Sequence, residues 1–336
     1  MTALRTLAQQ LGISVSTASR ALNGYEDVSA NTRARVLAAA KSLGYRPHPV
    51  AHRLATGRTG AVALVTAMRA GHFLDPTFAA LLSGVEEVLS AKGLYALAAS
   101  VPADEGREMA AFERLLDGRL ADAWIVARTR RDDPRVDRLI ERGLTFIAHG
   151  RTDRSHEHAW LDIDNEQAFF MAVERLARLG HRRVDFINGP APYTFAHLRE
   201  RGWRRGLESF GLQGRMVHAE LSSAAGEQAA ARLLEERSDT TALLCATDAI
   251  ALGALAACKR RGLAVGRPQG VAVIGYGNTE AGRYADPPLT TVDYSIETTG
   301  RLLGQMVLDL LAGADITALQ RLVPVQLIPR ASDSTP

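Results

Sequence analysis

Cysteine is almost absent from this 336-residue chain: only Cys245 and Cys258 occur, each inside an apolar run. Two such residues build no disulfide framework and read as buried thiols of a reducing, cytoplasmic compartment. No stretch approaches the roughly 18 uninterrupted apolar residues that a membrane-spanning helix needs. The opening MTALRTLAQQ carries polar residues every few positions, unlike a secretory leader. Catalytic signatures are missing too. There is no Walker loop, no GxSxG elbow and no GxGxxG after a strand; Gly275 and Gly277 make only a GxG. The run HGRTDRSHEH places His149, His156 and His158 close together, but it is polar and lacks an obvious acidic or thiol fourth ligand, so it reads as a solvated loop without metal. Asp162 and Asp164 precede a helix and read as capping residues, not as an acid/base pair. Neither a cofactor nor an enzymatic activity is expected.

What the chain does have is the composition of a globular protein, 46% apolar and 23% charged, at a length suited to two or three domains. Its charge is unevenly spread. Residues 1–58 hold Arg5, Arg20, Arg33, Arg35, Lys41, Arg46, Arg53 and Arg58 against only Glu26 and Asp27, while the remainder is net acidic. A basic head on an acidic body is the footprint of a polyanion-binding module.

Within that head, Leu4, Leu7, Ala8 and Leu11 recur at helical spacing, and Gly12 and Ile13 break the pattern. Ser14 is placed to cap a second helix, Val15 to Leu22, which can bury Ala18, Ala21 and Leu22. A third helix after Ser29 turns Val36, Ala39, Ala40 and Leu43 inward and ends at Gly44. Two short helices joined through a glycine turn, with a bracing third, make a helix-turn-helix unit. The outward face of the second helix suits a major groove. Ser16 and Arg20 lie one turn apart, Arg20 can fork onto guanine, and Val15 can touch a thymine methyl. Ser14, Thr17 and Asn23 are short donors for phosphate oxygens. The segment PHPVAHRLATG (residues 47–57) could form at most about two helical turns, too few to stand alone in water. Against DNA, Leu54 could wedge into a minor-groove step while Arg53 neutralises phosphate.

Here a resemblance becomes specific. GISVSTASRALNG, VSANTRARVLAAAKSLGYRP and HPVAHRLATGRTG resemble, without a gap, the DNA-binding head and hinge helix of the lactose-repressor (LacI/GalR) family. The resemblance implies that Val15, Ser16 and Arg20 face bases and that Leu54 is the minor-groove lever. Ala3 departs from it, standing where many members carry a capping Ser or Thr.

From Gly60 onward, apolar runs alternate with amphipathic stretches. Candidate strands fall at residues 60–66, 94–100, 122–127, 144–149, 183–188, 241–246 and 270–275. Helices such as Phe78–Lys92, Glu105–Asp117, Glu166–Leu179 and Ala249–Arg261 lie between them. Such alternation calls for an α/β body with parallel sheets covered on both faces. LLDGRLADAWIV, LARLGHRRVDFING, RERGWRRGL, DAIALGALAACKRRGL and ADPPLTTVDYS resemble the periplasmic-binding-protein-like core of the same family. The implied plan is a helix-turn-helix domain (1–46), a hinge helix (47–58), a two-lobed core (59–330) and a tail (331–336). One lobe takes about 60–160 and 291–322, and the other about 161–290 and 323–330.

The resemblance also implies a cleft between the lobes lined by Asp75, Phe78, Arg128, Arg151, Arg199, Thr247, Asp248 and Tyr276. Arg199 falls where the family places a cleft arginine, and Phe78 where it places an aromatic that stacks on ligand rings. Gly150 and Gly277 replace carboxylates common in sugar-responsive members, leaving extra room. A disaccharide is then plausible, an α-glucoside for example, as is an anion held by Arg199 with Arg128 or Arg151. The reading that joins head, hinge and body is a repressor, a homodimer on palindromic operator DNA, switched by a small effector. A coiled-coil tetramer is not expected, because no heptad repeat follows Arg330. The competing readings are a sugar-binding protein and a sugar-metabolising α/β enzyme carrying a fused DNA-binding head.

Overall fold

The structure, a computed structural model, describes residues 4–25, 27–45, 58–68, 76–102, 104–236 and 240–336. It divides into two compact units, residues 1–60 and 61–336.

The first unit holds three helices, α1 (Leu4–Leu11), α2 (Val15–Leu22) and α3 (Ala30–Ser42). Ser14 and Ser29 cap α2 and α3 by accepting from the amides of Thr17 and Thr32 at 3.0 and 3.2 Å. These bonds satisfy amides that have no partner inside the helix. Gly12, at φ 65°, turns the chain between α1 and α2. The core is small: Leu7, Ala8, Ala18, Ala21, Val28, Val36 and Ala40 are buried, and Leu4, Leu11, Leu22, Ala39 and Leu43 pack around them.

The second unit carries two six-stranded sheets. The strands are β1 (Ala61–Met68), β2 (Tyr95–Pro102), β3 (Ala123–Ala127), β4 (Phe146–His149), β5 (Ala159–Ile163), β6 (Val184–Asn188), β7 (Met216–His218), β8 (Ala242–Cys245), β9 (Ala272–Tyr276), β10 (Thr290–Asp293), β11 (Gln320–Val323) and β12 (Gln326–Ile328). The helices that serve the site are α4 (Pro76–Ser90), α5 (Glu105–Asp117), α6 (Pro134–Glu141), α7 (Asn165–Arg178), α8 (Thr194–Phe210), α9 (Ser223–Glu236), α10 (Asp248–Arg260), α11 (Glu280–Arg283) and α12 (Ile296–Leu311).

The first sheet runs β11-β5-β4-β3-β1-β2, all parallel, and the second β12-β10-β9-β8-β6-β7. Both faces of the first sheet are covered. Val62, Leu64, Ile125 and Ile147 pack with Leu81 and Val85 of α4 and Leu303 and Val307 of α12. Their neighbours Ala63, Val65, Trp124 and Val126 pack with Phe112, Leu116 and Leu139 on the other side. Apolar residues at every strand position are what a doubly covered parallel sheet requires. α4 and α12 meet through Gly84 and Gly300, where a Cβ would come within 2.3 Å of the Glu297 carbonyl and 2.4 Å of the Leu81 carbonyl respectively.

The chain changes sheet after Ile163, after Asp293 and after Val323. These crossings explain the one exception to the parallel expectation, β12, which is antiparallel to β10 with Thr291 opposite Ile328. β11 ends at the cleft edge, and only Pro324 and Val325 follow before β12 begins. With no helix to carry it back, the chain enters the second sheet against the direction of its other strands.

Residues 331–336 are not a free tail. Ser332 and Asp333 are buried; the Ser332 carbonyl accepts from the Val273 amide at 2.8 Å, and Asp333 accepts from Thr290 Oγ1 and Arg175 Nε at 2.6 and 2.8 Å. The ring of His181 reaches the Ser334 carbonyl at 2.8 Å. Short polar side chains became closure elements because their partners lie far back in the sequence, where local reading does not look.

Candidate effector cleft and DNA-reading face

On the head, Val15 is 42% exposed, and Ser16 and Arg20 are exposed on the same side of α2. The Ser14 and Thr17 hydroxyls sit 2.8 Å apart at the start of the helix, and Asn23 Nδ2 donates to Ser19 Oγ at 3.3 Å. Arg20 is salt-bridged to Asp27, and its guanidinium carbon lies 5.4 Å from the centre of the Tyr25 ring. Arg53 and Leu54, expected in the hinge, and Asp75, expected in the cleft, lie outside the described residues.

In the second unit, the carboxyl ends of both sheets face one cavity of about 240 Å3. This is where open α/β sheets bind ligands. Its centre is Arg199 on α8, only 6% exposed. Arg199 Nε donates to Asn165 Oδ1 at 2.8 Å and Nη1 to the Ala246 carbonyl at 2.6 Å. Its guanidinium lies 3.9 Å from the ring centre of Tyr276 and 4.5 Å from that of Phe195. Burial pulls the Arg199 pKa down, while Tyr276, Tyr294 and Asp162 oppose the fall. Burial likewise pushes the Tyr276 hydroxyl up to about 12, so it stays protonated and able to donate. Tyr276 stacks on Tyr294 at 5.1 Å, and Phe78, Leu81, Leu252 and Ile296 complete the apolar lining.

Two buried carboxylates border this space. Asp248 accepts from Thr279 N and Oγ1 at 2.7 and 3.0 Å and from Thr291 Oγ1 at 2.6 Å. Asp162 accepts from Arg151 Nε at 2.8 Å, the Ile163 amide at 2.9 Å and Asn165 Nδ2 at 3.3 Å. Burial raises both carboxyls above the ordinary range. Across the cleft mouth the two lobes share backbone bonds. The Thr194 amide donates to the Thr129 carbonyl at 2.9 Å, and Arg130 bridges Tyr193 in antiparallel fashion.

Comparison with known proteins matches residues 3–48 to the bacterial regulatory proteins of the lacI family and residues 173–332 to a periplasmic binding protein-like domain. The HTH-type transcriptional regulator AglR of Rhizobium meliloti is 35% identical, with 98% of this chain and 93% of that protein covered. The chain belongs to the LacI family. Among solved structures, a lac repressor dimer bound to operator and the anti-inducer ONPF superposes with a TM-score of 0.81 at 26% identity, covering 98% of each chain. A CelR–cellobiose complex superposes with a TM-score of 0.73 at 29% identity, covering 99% of this chain and all of the other. A LacI-family chain with this head and body is a DNA-binding transcriptional regulator.

Within the regulator, Phe78, Arg128, Arg199, Thr247, Asp248 and Tyr276 border the cavity. Arg151 does not; it reaches the site only through Asp162, with its guanidinium 5.5 Å from the Trp160 ring centre. Thr247 caps α10 by accepting from the Ile250 amide at 3.2 Å. Asp164 caps α7, accepting from Gln167 N at 3.0 Å, but Asp162 is a strand residue on the cavity wall and not the cap the sequence suggested. The three histidines do not share one solvated loop. His149 ends β4 in the cavity and His158 is buried between Thr152 and the Ala159 carbonyl, while only His156 is largely exposed. The two glycines differ as well. At Gly277, φ 123°, a Cβ would meet nothing nearer than 3.8 Å, whereas at Gly150, φ 116°, it would strike Thr129 Oγ1 at 2.3 Å. Extra room exists at Gly277 alone.

Sequence reasoning missed Thr66, Thr129, His149, Asp162, Asn165, Phe195 and Tyr294 as cavity residues. Most share one signal, since each sits in or just after the carboxyl end of a parallel strand. Taking the last residues of every candidate strand as site candidates would have found Thr66 and His149, with Thr129 two residues beyond the strand ending at Ala127.

Proposed function

We propose that this regulator is a cytoplasmic repressor acting as a homodimer on palindromic operator DNA, and that a neutral glucoside of disaccharide size, held in the cleft, switches it. A single recognition helix reads only a few base pairs, which favours a two-fold dimer on a two-fold site. Base reading falls to Val15, Ser16 and Arg20 and phosphate contact to Ser14, Thr17, Asn23 and Arg53, with Leu54 as the minor-groove wedge.

The observation that carries the effector class is the charge balance of the cavity. The lining holds as many carboxyl groups, Asp162 and Asp248, as guanidinium groups, Arg128 and Arg199, and Arg199 is already committed to protein acceptors. An anion would meet no excess of cationic groups in that lining. The aromatic rings of Phe78, Phe195, Tyr276 and Tyr294 suit the apolar faces of pyranose rings, and the edges offer hydroxyl and amide partners. The open space at Gly277 favours two rings over one, and the relative solved with cellobiose lends support. Asp248 already accepts from three donors, which supports a structural role for it and binding of the ligand without its transformation.

The test is a thermal-shift and calorimetric screen of the full chain with maltose-type and cellobiose-type disaccharides, monosaccharides, sugar phosphates and nucleosides. A ligand at 100 times its Kd stabilises by about 2.7 kcal/mol. A disaccharide hit recovered chemically unchanged supports the reading. A response to sugar phosphates alone would overturn the neutral-ligand assignment.

A further inference from the structure

The head contains an acidic residue where a nucleic-acid-binding face should exclude one. Asp27 is one of only two acids in residues 1–58. Its carboxylate is salt-bridged to Arg20, and both side chains are about half exposed, at 49% and 48%. An ion pair this open adds little to stability. Paired with Arg20, Asp27 also works against DNA affinity, because it offsets a charge that would otherwise release counterions.

Described residues beside this pair are tied to the helices. Tyr25 is tied to α2 by its amide donating to the Arg20 carbonyl at 3.1 Å. It is tied to α3 by Arg33 Nη2 donating to the Tyr25 and Gly24 carbonyls at 2.6 and 3.4 Å. Val28, next to Asp27, is buried in the head core. The Tyr25 ring therefore lies against the Arg20 guanidinium and Asp27 pairs with it, while Tyr25 is bonded to α2 and α3 and Val28 is packed in the core. A free arginine samples many rotamers and swings readily to the nearest phosphate, whereas a clamped one presents its fork in one direction.

We propose that Asp27, with Tyr25, is a positioning residue that aims Arg20 at a base edge, exchanging non-specific DNA affinity for base discrimination. The inference rests on the reading of Arg20 as a base-contacting residue.

The experiment uses the full-length protein, a randomised duplex library and a random-sequence duplex. Bound library members are sequenced for wild type, Arg20→Ala, Asp27→Asn, Asp27→Glu and the double variant Arg20→Ala/Asp27→Asn. Arg20→Ala identifies the base pair it reads by flattening preference at one position of each half-site. Asp27→Asn should flatten preference at that same position about tenfold, leave the other positions unchanged and bind random duplex several-fold more tightly. Its slope of log affinity against log salt on random duplex should steepen by about 0.9, as expected for one added phosphate contact. Asp27→Glu should restore part of the preference, and Asp27→Asn should change no preference once Arg20 is absent. Unchanged thermal unfolding of Asp27→Asn separates these effects from loss of the fold. Equal tightening on all sequences with preferences intact would reduce Asp27 to a charge and overturn the clamp. No change with Arg20→Ala would instead remove Arg20 from the reading set, and the proposal with it.

Discussion

On the second-lobe wall of the cleft, Asp248 already accepts three hydrogen bonds, and Arg199 donates to Asn165 and Ala246 between aromatic rings. On the first-lobe wall, Thr66 Oγ1 is buried without a hydrogen-bond partner among the described residues, and His149 faces the same space with no side-chain bond to any of them. One wall is finished at its charged groups, Asp248 and Arg199, which are satisfied before any ligand arrives. The other keeps unspent hydrogen-bonding capacity. Buried polar groups left unpaired are costly, so a ligand that pairs them stabilises the closed cleft most where the first lobe contributes. A ligand held against the satisfied groups of the second lobe would gain most by pairing Thr66 and His149 on the first.

The first wall has its own support, and breaking it should give the largest effect. Arg135, fully buried on α6, pairs with Asp133 at 2.7 Å and Glu108 at 3.4 Å and donates to the Arg128 carbonyl at 3.1 Å. Burial opposes the charge on Asp133, but the adjacent guanidinium outweighs it and holds the carboxyl below its ordinary range. This cluster fixes the loop that carries Arg128 and Thr129 and, through Thr129 and Arg130, the bonds to Tyr193 and Thr194. Removing one partner strands buried charge, at a cost of about 3–5 kcal/mol. Arg135→Ala should therefore lower urea stability by that amount and weaken ligand binding. A loss below 1 kcal/mol would show that the first wall does not rest on this cluster.

Asp248→Asn tests the finished wall. One amide oxygen cannot replace two carboxylate oxygens serving Thr279 and Thr291, and the new NH2 group confronts donors. The expected loss is about 1–3 kcal/mol in equilibrium unfolding, together with weaker ligand binding as the turn Gly277–Thr279 loosens. If ligand affinity falls while stability is untouched, Asp248 contacts the ligand directly and the platform description fails.

The head was nearly all legible in the sequence because its determinants are local: Ser14, Ser29 and the three- and four-residue spacing of Leu4, Leu7, Ala8 and Leu11 act within one or two turns. In the body the central strands announced themselves as apolar runs. β5, β7, β10, β11 and β12 did not, because short strands with residues such as Asp162, Thr290, Thr291 and Gln326 look like loops until a distant neighbour pairs with them. The same non-locality hid the site. Asp162 reads as a helix cap from its neighbours alone, and only the fold brings it beside Arg151 and, through Asn165, to Arg199. The role of the polar tail was hidden for the same reason, since Asp333 finds Arg175 158 residues earlier.

The smallest expected effect, and the sharpest test of the open wall, is its pH dependence. Burial lowers the His149 pKa from 6.5 to about 4 in the folded chain. Between these values the unfolded chain binds a proton that the folded chain refuses. The stability owed to neutral His149 is thus complete above about pH 6.5 and is lost as the pH falls toward 4, with a limiting slope of about 1.4 kcal/mol per pH unit for one group. His158 and His181, lowered by burial too, act in the same direction, while the raised pKa values of Asp162 and Asp248 act in the opposite one. Only a difference measurement isolates His149. Urea unfolding of wild type and His149→Gln across this range should show wild type losing stability relative to the variant as the pH falls, the variant's curve being the flatter. A saturating ligand that hydrogen-bonds the neutral imidazole should steepen the wild-type curve and leave the variant unchanged. Parallel curves would mean that His149 is protonated alike in both states, and that the first wall holds no unspent imidazole for a ligand to claim.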